Sequence, residues 1–169
     1  INNNRSTEYN RLADSVDSLA ERLFPLIGNT ENQTAKGDAG ESFVEDYLSS
    51  EYHSSGIILR NTGKEDNSGD LYCEYRGLRL VIEVKNKKTI TKEDVEKFKR
   101  DTLTLTECNA GLFVSIKATG IPCKEDCSIE WIQSDTGVRK PLLYCSSVFT
   151  EPLKLRFAIK VLEWAIQEP

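Results

Sequence analysis

Residues 68–85 read SGDLYCEYRGLRLVIEVK, and this stretch decides the fold prediction. Two short runs rich in apolar and aromatic residues flank the dipeptide Arg76-Gly77. Two strand-like runs that are separated by two residues, the second a glycine, are typical of a β-hairpin with a tight turn. We therefore predict an antiparallel hairpin in which Tyr75 lies opposite Leu78 and the pairing continues outward from there.

The predicted register brings two acidic side chains together on one face of the hairpin. It places Asp70 opposite Glu83, and opposed residues on neighbouring strands have Cβ atoms about 4.5–5.5 Å apart. Like charges at that distance destabilise a sheet, whereas a divalent cation between them would remove the repulsion. Lys85 follows Glu83 by two residues and is therefore expected on the same face.

A third acidic side chain is predicted to lie near this pair. In the helix expected at residues 35–50, Glu41 precedes Val44 by three positions and Leu48 by seven, which places it on the stripe that faces the core. Burying a carboxylate is costly unless it is paired or binds a metal ion. Glu41 is therefore a candidate member of the same site.

The remaining pattern predicts an α/β domain. Further helices are expected at residues 7–27, from Thr91 onward and at 152–167, and further strands at 57–59, 111–116, 128–133 and 141–145. This order predicts a mixed β-sheet with helices on both faces. Residues 1–33 are expected to form an N-terminal helical extension and residues 34–169 the main domain.

Length and composition narrow the class of protein. The chain has 169 residues, 38% of them hydrophobic, which suits one ordinary domain with its own core. It has no apolar run of the ~20 residues that a membrane span needs, so we expect no membrane partner. The net charge is −5, with the acidic excess in residues 1–56, so a nucleic-acid surface is expected in residues 57–169. Because the chain starts at Ile1 and lacks methionine, we expect it to be part of a longer chain or complex.

The cysteines do not form a recognisable framework. The five are Cys73, Cys108, Cys123, Cys127 and Cys145. An odd number with scattered spacing does not indicate a set of disulfides, and Cys123 and Cys127 lack a second pair that would complete a zinc site. We therefore predict reduced thiols in an intracellular protein, with cytoplasm and nucleus left open.

Taken together, three short motifs resemble a known family. SGD at residues 68–70 and IEVK at 82–85 resemble the PD-(D/E)xK nuclease superfamily, whose fold is restriction-endonuclease-like. GESFVE at residues 40–45 is similar to the helix with an extra glutamate in the branch of Holliday-junction resolvases and Mrr-like endonucleases. The predicted elements from about residue 35 to 116 also follow the order of that family's core. One departure is Gly69, where the family has a proline.

The resemblance implies an endonuclease that hydrolyses phosphodiester bonds in DNA with Mg²⁺ or Mn²⁺. By position, Asp70 and Glu83 would bind the metal ion, together with the backbone carbonyl of Val84. Lys85 would assist the attacking water. Glu41 would hold a second metal ion or complete the first ion's ligands.

DNA contacts are expected on the basic segment that follows Lys85. The candidates are Lys87, Lys88, Lys97 and Arg100. Contacts of this kind would position a phosphate backbone without reading its sequence. The alternative is an ordinary solvated helix face with internal ion pairs. A homodimer, with the helix at 7–27 as its interface, stays open, because two-site cutting of duplex DNA usually requires a symmetric dimer.

Two other functions are consistent with the residues. One is a catalytically inactive nuclease-fold module that binds nucleic acid or protein. The other is an RNA endonuclease of the viral cap-snatching kind, which adds a metal-binding histidine. His53, the single histidine of the chain, would have to fill that role.

Overall fold

A computed structural model describes residues 33–64 and 68–167 of the chain. The chain divides into two units, Ile1–Ala39 and Gly40–Pro169, and the second contains the whole β-sheet. The helix predicted at residues 7–27 lies outside the described residues. No helix in the described part of the chain is long and apolar enough to span a membrane.

The described residues form nine regular elements and one short 3-10 turn at His53–Ser55. The helices are α1 (Gln33–Glu51), α2 (Lys92–Thr104) and α3 (Leu153–Ala165); the strands are β1 (Ile58–Asn61), β2 (Leu71–Tyr75), β3 (Leu78–Lys85), β4 (Ala110–Ser115), β5 (Ser128–Gln133) and β6 (Arg139–Cys145). The strands form one sheet in the order β1-β2-β3-β4-β6-β5. β3, β4 and β6 run parallel, and the other pairings are antiparallel. The predicted α/β class, with a mixed sheet flanked by helices, is confirmed.

The central hairpin has the predicted register. Tyr75 pairs with Leu78, and the ladder continues to Leu71 opposite Ile82. Both turn residues have positive φ, 49° at Arg76 and 82° at Gly77. This combination defines a type I′ turn, whose twist matches that of the flanking strands. The turn chemistry therefore sets which side chains of β3 share a face.

Helices cover both faces of the sheet. On one face, Phe98 of α2 packs edge-on against Phe113 of β4, with ring centroids 5.5 Å apart. On the other, Tyr52, which follows α1, packs against Tyr75 with centroids 4.9 Å apart. Helix α3 lies beside α1 on this second face and contacts β6. The alternating side chains of β3 therefore point into two separate layers.

Helix α2 is fixed at both ends by side chains. At its start, which is the predicted one, Thr91 and Asp94 form a capping box, in which each side chain accepts a hydrogen bond from the other residue's backbone N–H. At its end, the buried Lys140 donates to the carbonyl oxygens of Thr102 and Leu105 at 2.7 and 2.5 Å. A cation at a helix C-terminus is stabilised by the helix dipole. The sequence pattern did not predict this contact from β6.

A polar network ties α2 to the far edge of the sheet. Glu130 on β5 accepts hydrogen bonds from Lys124 at 2.6 Å and from the Tyr144 hydroxyl at 2.8 Å. Lys99 of α2 lies 2.9 Å from the same carboxylate. Burial alone would raise the pKa of Glu130, but these donors outweigh it and lower the pKa to about 2. The carboxylate is therefore held in its charged form.

We expect Glu130→Gln to lower the free energy of unfolding by about 1–2 kcal/mol at pH 7, after allowing for solvent screening. Because the folded pKa lies below the unfolded one, this stabilisation is present above about pH 4.5 and is lost as pH falls toward 2. Urea unfolding of both proteins between pH 2 and 7 measures the difference. The exposed Glu125→Gln is the control and should change stability little; a difference independent of pH would contradict the assignment.

Candidate active site

Asp70 leaves the regular ladder of the hairpin. Its N–H donates to the Ile82 carbonyl at 3.0 Å, while its own carbonyl accepts from the Thr62 N–H at 2.9 Å. In a regular strand the two groups of one residue bond the same neighbour, so the backbone turns at this residue. The Asp70 carboxylate then accepts a hydrogen bond from the Val84 N–H at 2.6 Å. The side chain therefore lies against the end of β3 rather than in the simple cross-strand position that the alternation predicted.

Gly69 makes this backbone turn possible. Its φ is +73°, and a Cβ added there would lie 2.4 Å from Cγ2 of Val81. A proline holds φ near −65° and could not adopt this conformation. The buried Thr62 secures the same segment by donating its hydroxyl to the Gly69 carbonyl at 3.1 Å. Glycine at position 69 therefore has a structural reason in this chain.

Glu83 and Lys85 lie on one face of β3, as predicted, and form an ion pair. Glu83 is only 5% exposed. Burial lowers the pKa of Lys85, but the charges of Glu83 and Asp70 outweigh it, so the pKa is raised and the amine stays protonated at neutral pH. The ammonium therefore compensates part of a buried negative charge.

Asp70 belongs to the same electrostatic group. Its pKa is raised to about 6, first by burial and then by the negative charge of Glu83, while Lys85 and the Val84 N–H bond oppose the rise. The negative charge of Glu41 also raises the pKa of Asp70. Two carboxylates and one ammonium therefore interact at the carboxyl end of β3, with the acidic charge only partly compensated.

Glu41 reaches this end of the sheet from α1, in the opposite layer. The preceding Gly40 lets the helix approach closely, because an added Cβ would lie only 3.0 Å from Cβ of Asn86 and 3.4 Å from Cγ1 of Val84. Val44 and Leu48 of the same helix are fully buried, as the stripe predicted, whereas Glu41 itself is only partly buried. The Glu41 carboxylate accepts a hydrogen bond from the Asn61 side chain at 3.0 Å.

Asn61 is a site residue that sequence reasoning missed. Its amide nitrogen holds Glu41, and its amide oxygen accepts the Gly63 N–H at 3.1 Å. It therefore links α1 to the loop that precedes Asp70. No local pattern marks it, because its partner lies 20 positions away in the sequence.

The fold brings only some of the predicted site residues close together. Among residues 33–64 and 68–167, no three or more His, Cys, Asp or Glu side chains are arranged to hold a metal ion together. Asp70 and Glu83 interact directly through their charges, whereas Glu41 is engaged by Asn61. One or two carboxylates with waters are an ordinary set of ligands for Mg²⁺. The carboxylate oxygens that are present therefore suit a hard divalent cation that is bound mainly by Asp70 and Glu83.

The predicted DNA-contacting residues fall into two groups. Lys87 pairs with Asp94 at 2.6 Å and Lys97 with Asp101 at 3.2 Å, so part of the charge on these two lysines is compensated within the chain. Lys88 and Arg100 are exposed. The alternative of a solvated helix face with internal ion pairs therefore fits Lys87 and Lys97 better than Lys88 and Arg100.

His53 lies in a separate open pocket of about 280 Å³. The pocket is lined by Glu45, Ser49, His53, Ile57 and Leu59. Asp70 and Glu83 do not line this pocket, so His53 does not share a pocket with the two carboxylates.

No protein-family model matches the chain, and no curated protein is detectably similar to it. The chemistry of the site therefore has to be argued from its residues.

We expect Asp70→Asn to raise the free energy of unfolding of the metal-free protein by about 1–3 kcal/mol at pH 7.5. The folded pKa of about 6 exceeds the usual 3.8, so the contribution of Asp70 is fully present below pH 3.8 and is lost as pH rises through 6. An asparagine can still accept the Val84 N–H without carrying charge. Urea unfolding in the presence of a chelator measures the change.

The exposed Asp135→Asn is the matched control for this substitution and should have little effect at any pH. The gain for Asp70→Asn should vanish below pH 4. Destabilisation at neutral pH would mean that the acidic cluster is already neutralised within the chain.

We also expect Gly69→Ala to lower stability by about 2–4 kcal/mol, because it combines a left-handed backbone with a steric clash. The control is Gly120→Ala, where an added Cβ meets nothing within 4 Å. Thermal unfolding compares the two variants. Equal melting temperatures would show that the turn before Asp70 is not constrained as described.

Proposed function

We propose that this chain is a divalent-metal-dependent endonuclease of the PD-(D/E)xK type that hydrolyses phosphodiester bonds in DNA. The observation that carries the proposal is the electrostatic group at the end of the hairpin. Glu83 raises the pKa of Asp70 and pairs with Lys85. A fold derives no stability from placing two partly buried carboxylates together, so the arrangement is best explained by a cationic ligand.

The order of elements supports the same proposal. A helix, three antiparallel strands, a helix and a parallel strand follow one another from α1 to β4. This order resembles the core of the restriction-endonuclease-like fold. The acidic group lies at the carboxyl end of β3, and ligands of sheets with parallel strands commonly bind at such ends.

Mg²⁺ or Mn²⁺ fits the donors in charge and in chemistry, since carboxylate oxygens are the ligands that these hard cations prefer. Asp70 and Glu83 would hold the ion, and the backbone carbonyl of Val84 would be the third protein ligand. Glu41 would contribute its negative charge from a greater distance. When bound, such an ion stabilises negative charge on the attacked phosphate and makes water a better nucleophile.

Lys85 would act through its charge rather than as a proton acceptor. Its raised pKa keeps it protonated at neutral pH, and its ammonium already donates to Glu83. An ammonium can donate three hydrogen bonds, so the same group can also hold a water molecule or a phosphate oxygen. We therefore assign Lys85 the positioning of the reacting groups.

Substrate phosphates would bind on the exposed part of the basic segment. Lys88 and Arg100 are the better candidates, because Lys87 and Lys97 are paired with acids. Such contacts position a backbone and carry no sequence information.

A binding module without catalysis is the second candidate. It is favoured by the absence, among the described residues, of a group of three or more metal-ligating side chains, and by the engagement of Glu41 with Asn61. An RNA endonuclease that uses His53 is less well supported, because the pocket of His53 does not include Asp70 or Glu83.

The test combines metal binding with cleavage. We expect Mg²⁺ and Mn²⁺ to raise the melting temperature, since a ligand that binds only the folded state stabilises it. Asp70→Asn and Glu83→Gln should abolish this shift, while Asp135→Asn should keep it. In assays with plasmid, single-stranded and branched DNA and with RNA, cleavage should require the metal ion, and each of the two variants and Lys85→Met should lower its rate at least about 100-fold.

The outcomes distinguish the candidates. Unchanged melting at saturating metal without cleavage would favour the binding module. Cleavage of RNA alone that is lost in His53→Ala would favour the RNA endonuclease. DNA cleavage that survives in Asp70→Asn would refute the assigned site.

A further inference from the structure

Two cysteines from different parts of the chain lie side by side. The Sγ atoms of Cys127 and Cys145 are 4.0 Å apart. The ladder between β5 and β6 ends with Ser128 opposite Tyr144, and the two cysteines are the residues next to this last pair in each segment. The sequence spacing had instead paired Cys127 with Cys123 as a weak zinc motif.

The backbone separation at such a position suits a disulfide. Opposed residues of antiparallel strands have Cα atoms about 4.5–5.5 Å apart, and disulfides usually join Cα atoms 4.4–6.8 Å apart. Cys127 lies in the turn before the edge strand β5, with a φ of 54° and a partly exposed side chain. Cys145 is fully buried in β6. The sulfur atoms could therefore close to bonding distance through movement on the Cys127 side.

We propose that Cys127 and Cys145 form a reversible disulfide when the protein meets a small-molecule disulfide such as oxidised glutathione. The proposal does not depend on nuclease activity. The half-exposed Cys127 thiolate attacks the small disulfide, which forms a mixed disulfide and releases one thiol. The Cys145 thiolate then attacks the Cys127 sulfur and releases the second thiol. In total, two protein thiols are oxidised, and one small disulfide is reduced to two thiols.

The surroundings of the two thiols make this exchange slow. Burial raises the pKa of both thiols, so little thiolate is present at neutral pH. Among the charged groups near Cys127, Asp126 raises its pKa further and Lys154 lowers it. Cys73 is buried on β2, three places from β6 in the sheet order. Cys108 is buried before the start of β4, whereas Cys145 is at the end of β6, and these two neighbouring strands run parallel. Cys123 is exposed and is the competing thiol.

The cross-link would join the turn before β5 to the strand beside α3. The Sγ atom of Cys145 already lies 3.9 Å from the Lys154 carbonyl at the start of that helix. A disulfide there restricts the unfolded chain and is expected to raise the melting temperature by several degrees.

The test incubates the whole chain with oxidised glutathione and follows intact mass, peptide mapping and melting. The expected result is the loss of two hydrogen atoms, a Cys127–Cys145 peptide and a higher melting temperature, all reversed by dithiothreitol. Cys123→Ser should behave like the wild type. Cys127→Ser should form no internal disulfide, and because Cys127 is half-exposed this variant is expected to fold.

Three outcomes would overturn the proposal. They are a Cys123–Cys127 disulfide in the native protein, a stable glutathione adduct on Cys127 with Cys145 still reduced, and no change in mass at pH 8.5 over a day. Cross-linking that is detected only after denaturation would also count against it, because the native geometry would then play no part.

Discussion

The repulsion between Asp70 and Glu83 is the constraint on which this end of the molecule depends. The hairpin places both acids near the end of β3, and burial makes their charges more costly there. Lys85 and the Val84 N–H each compensate part of that cost. The left-handed Gly69 and the buried Thr62 direct the chain so that the Asp70 carboxylate can reach its donor. Much of the local structure therefore serves to hold two carboxylates in an arrangement whose repulsion is only partly compensated.

Local rules were sufficient to predict the hairpin and one helix start. Gly77 adopts positive φ without strain, and a two-residue loop at Arg76-Gly77 sets the pairing that continues as far as Leu71. Thr91 and Asp94 satisfy one another within three residues, so their capping box can be recognised without tertiary structure. The buried stripe of α1 follows in the same way from helical periodicity. In each case the interacting groups are close in the sequence, and few backbone conformations allow their contacts to form.

The features that were not predicted join distant segments. Asn61 contacts Glu41 across 20 positions, Cys127 contacts Cys145 across 18, and Lys140 reaches the end of α2 across 35 or more. No periodicity encodes such contacts, because they depend on how the layers pack. Asp70 is an intermediate case. Strand alternation predicted its approximate place, but it did not predict that a left-handed Gly69 would turn the backbone and send the carboxylate to the Val84 N–H.

The two layers of the domain meet at the proposed site, and this has a consequence for its chemistry. Glu83 and Lys85 face the layer of α2, whereas Glu41 comes from α1 on the other face. A ligand at the end of β3 could contact both layers only because Gly40 brings α1 close to Val84. The acidic pair needs the hairpin and the turn at Gly69 that Thr62 secures, but the contribution of Glu41 needs the correct packing of a helix on the sheet. Loosening that packing should therefore displace the Glu41 carboxylate before it moves Asp70 or Glu83. Glu41 belongs to the site through tertiary structure, whereas Asp70 and Glu83 belong to it through the hairpin and the turn before it.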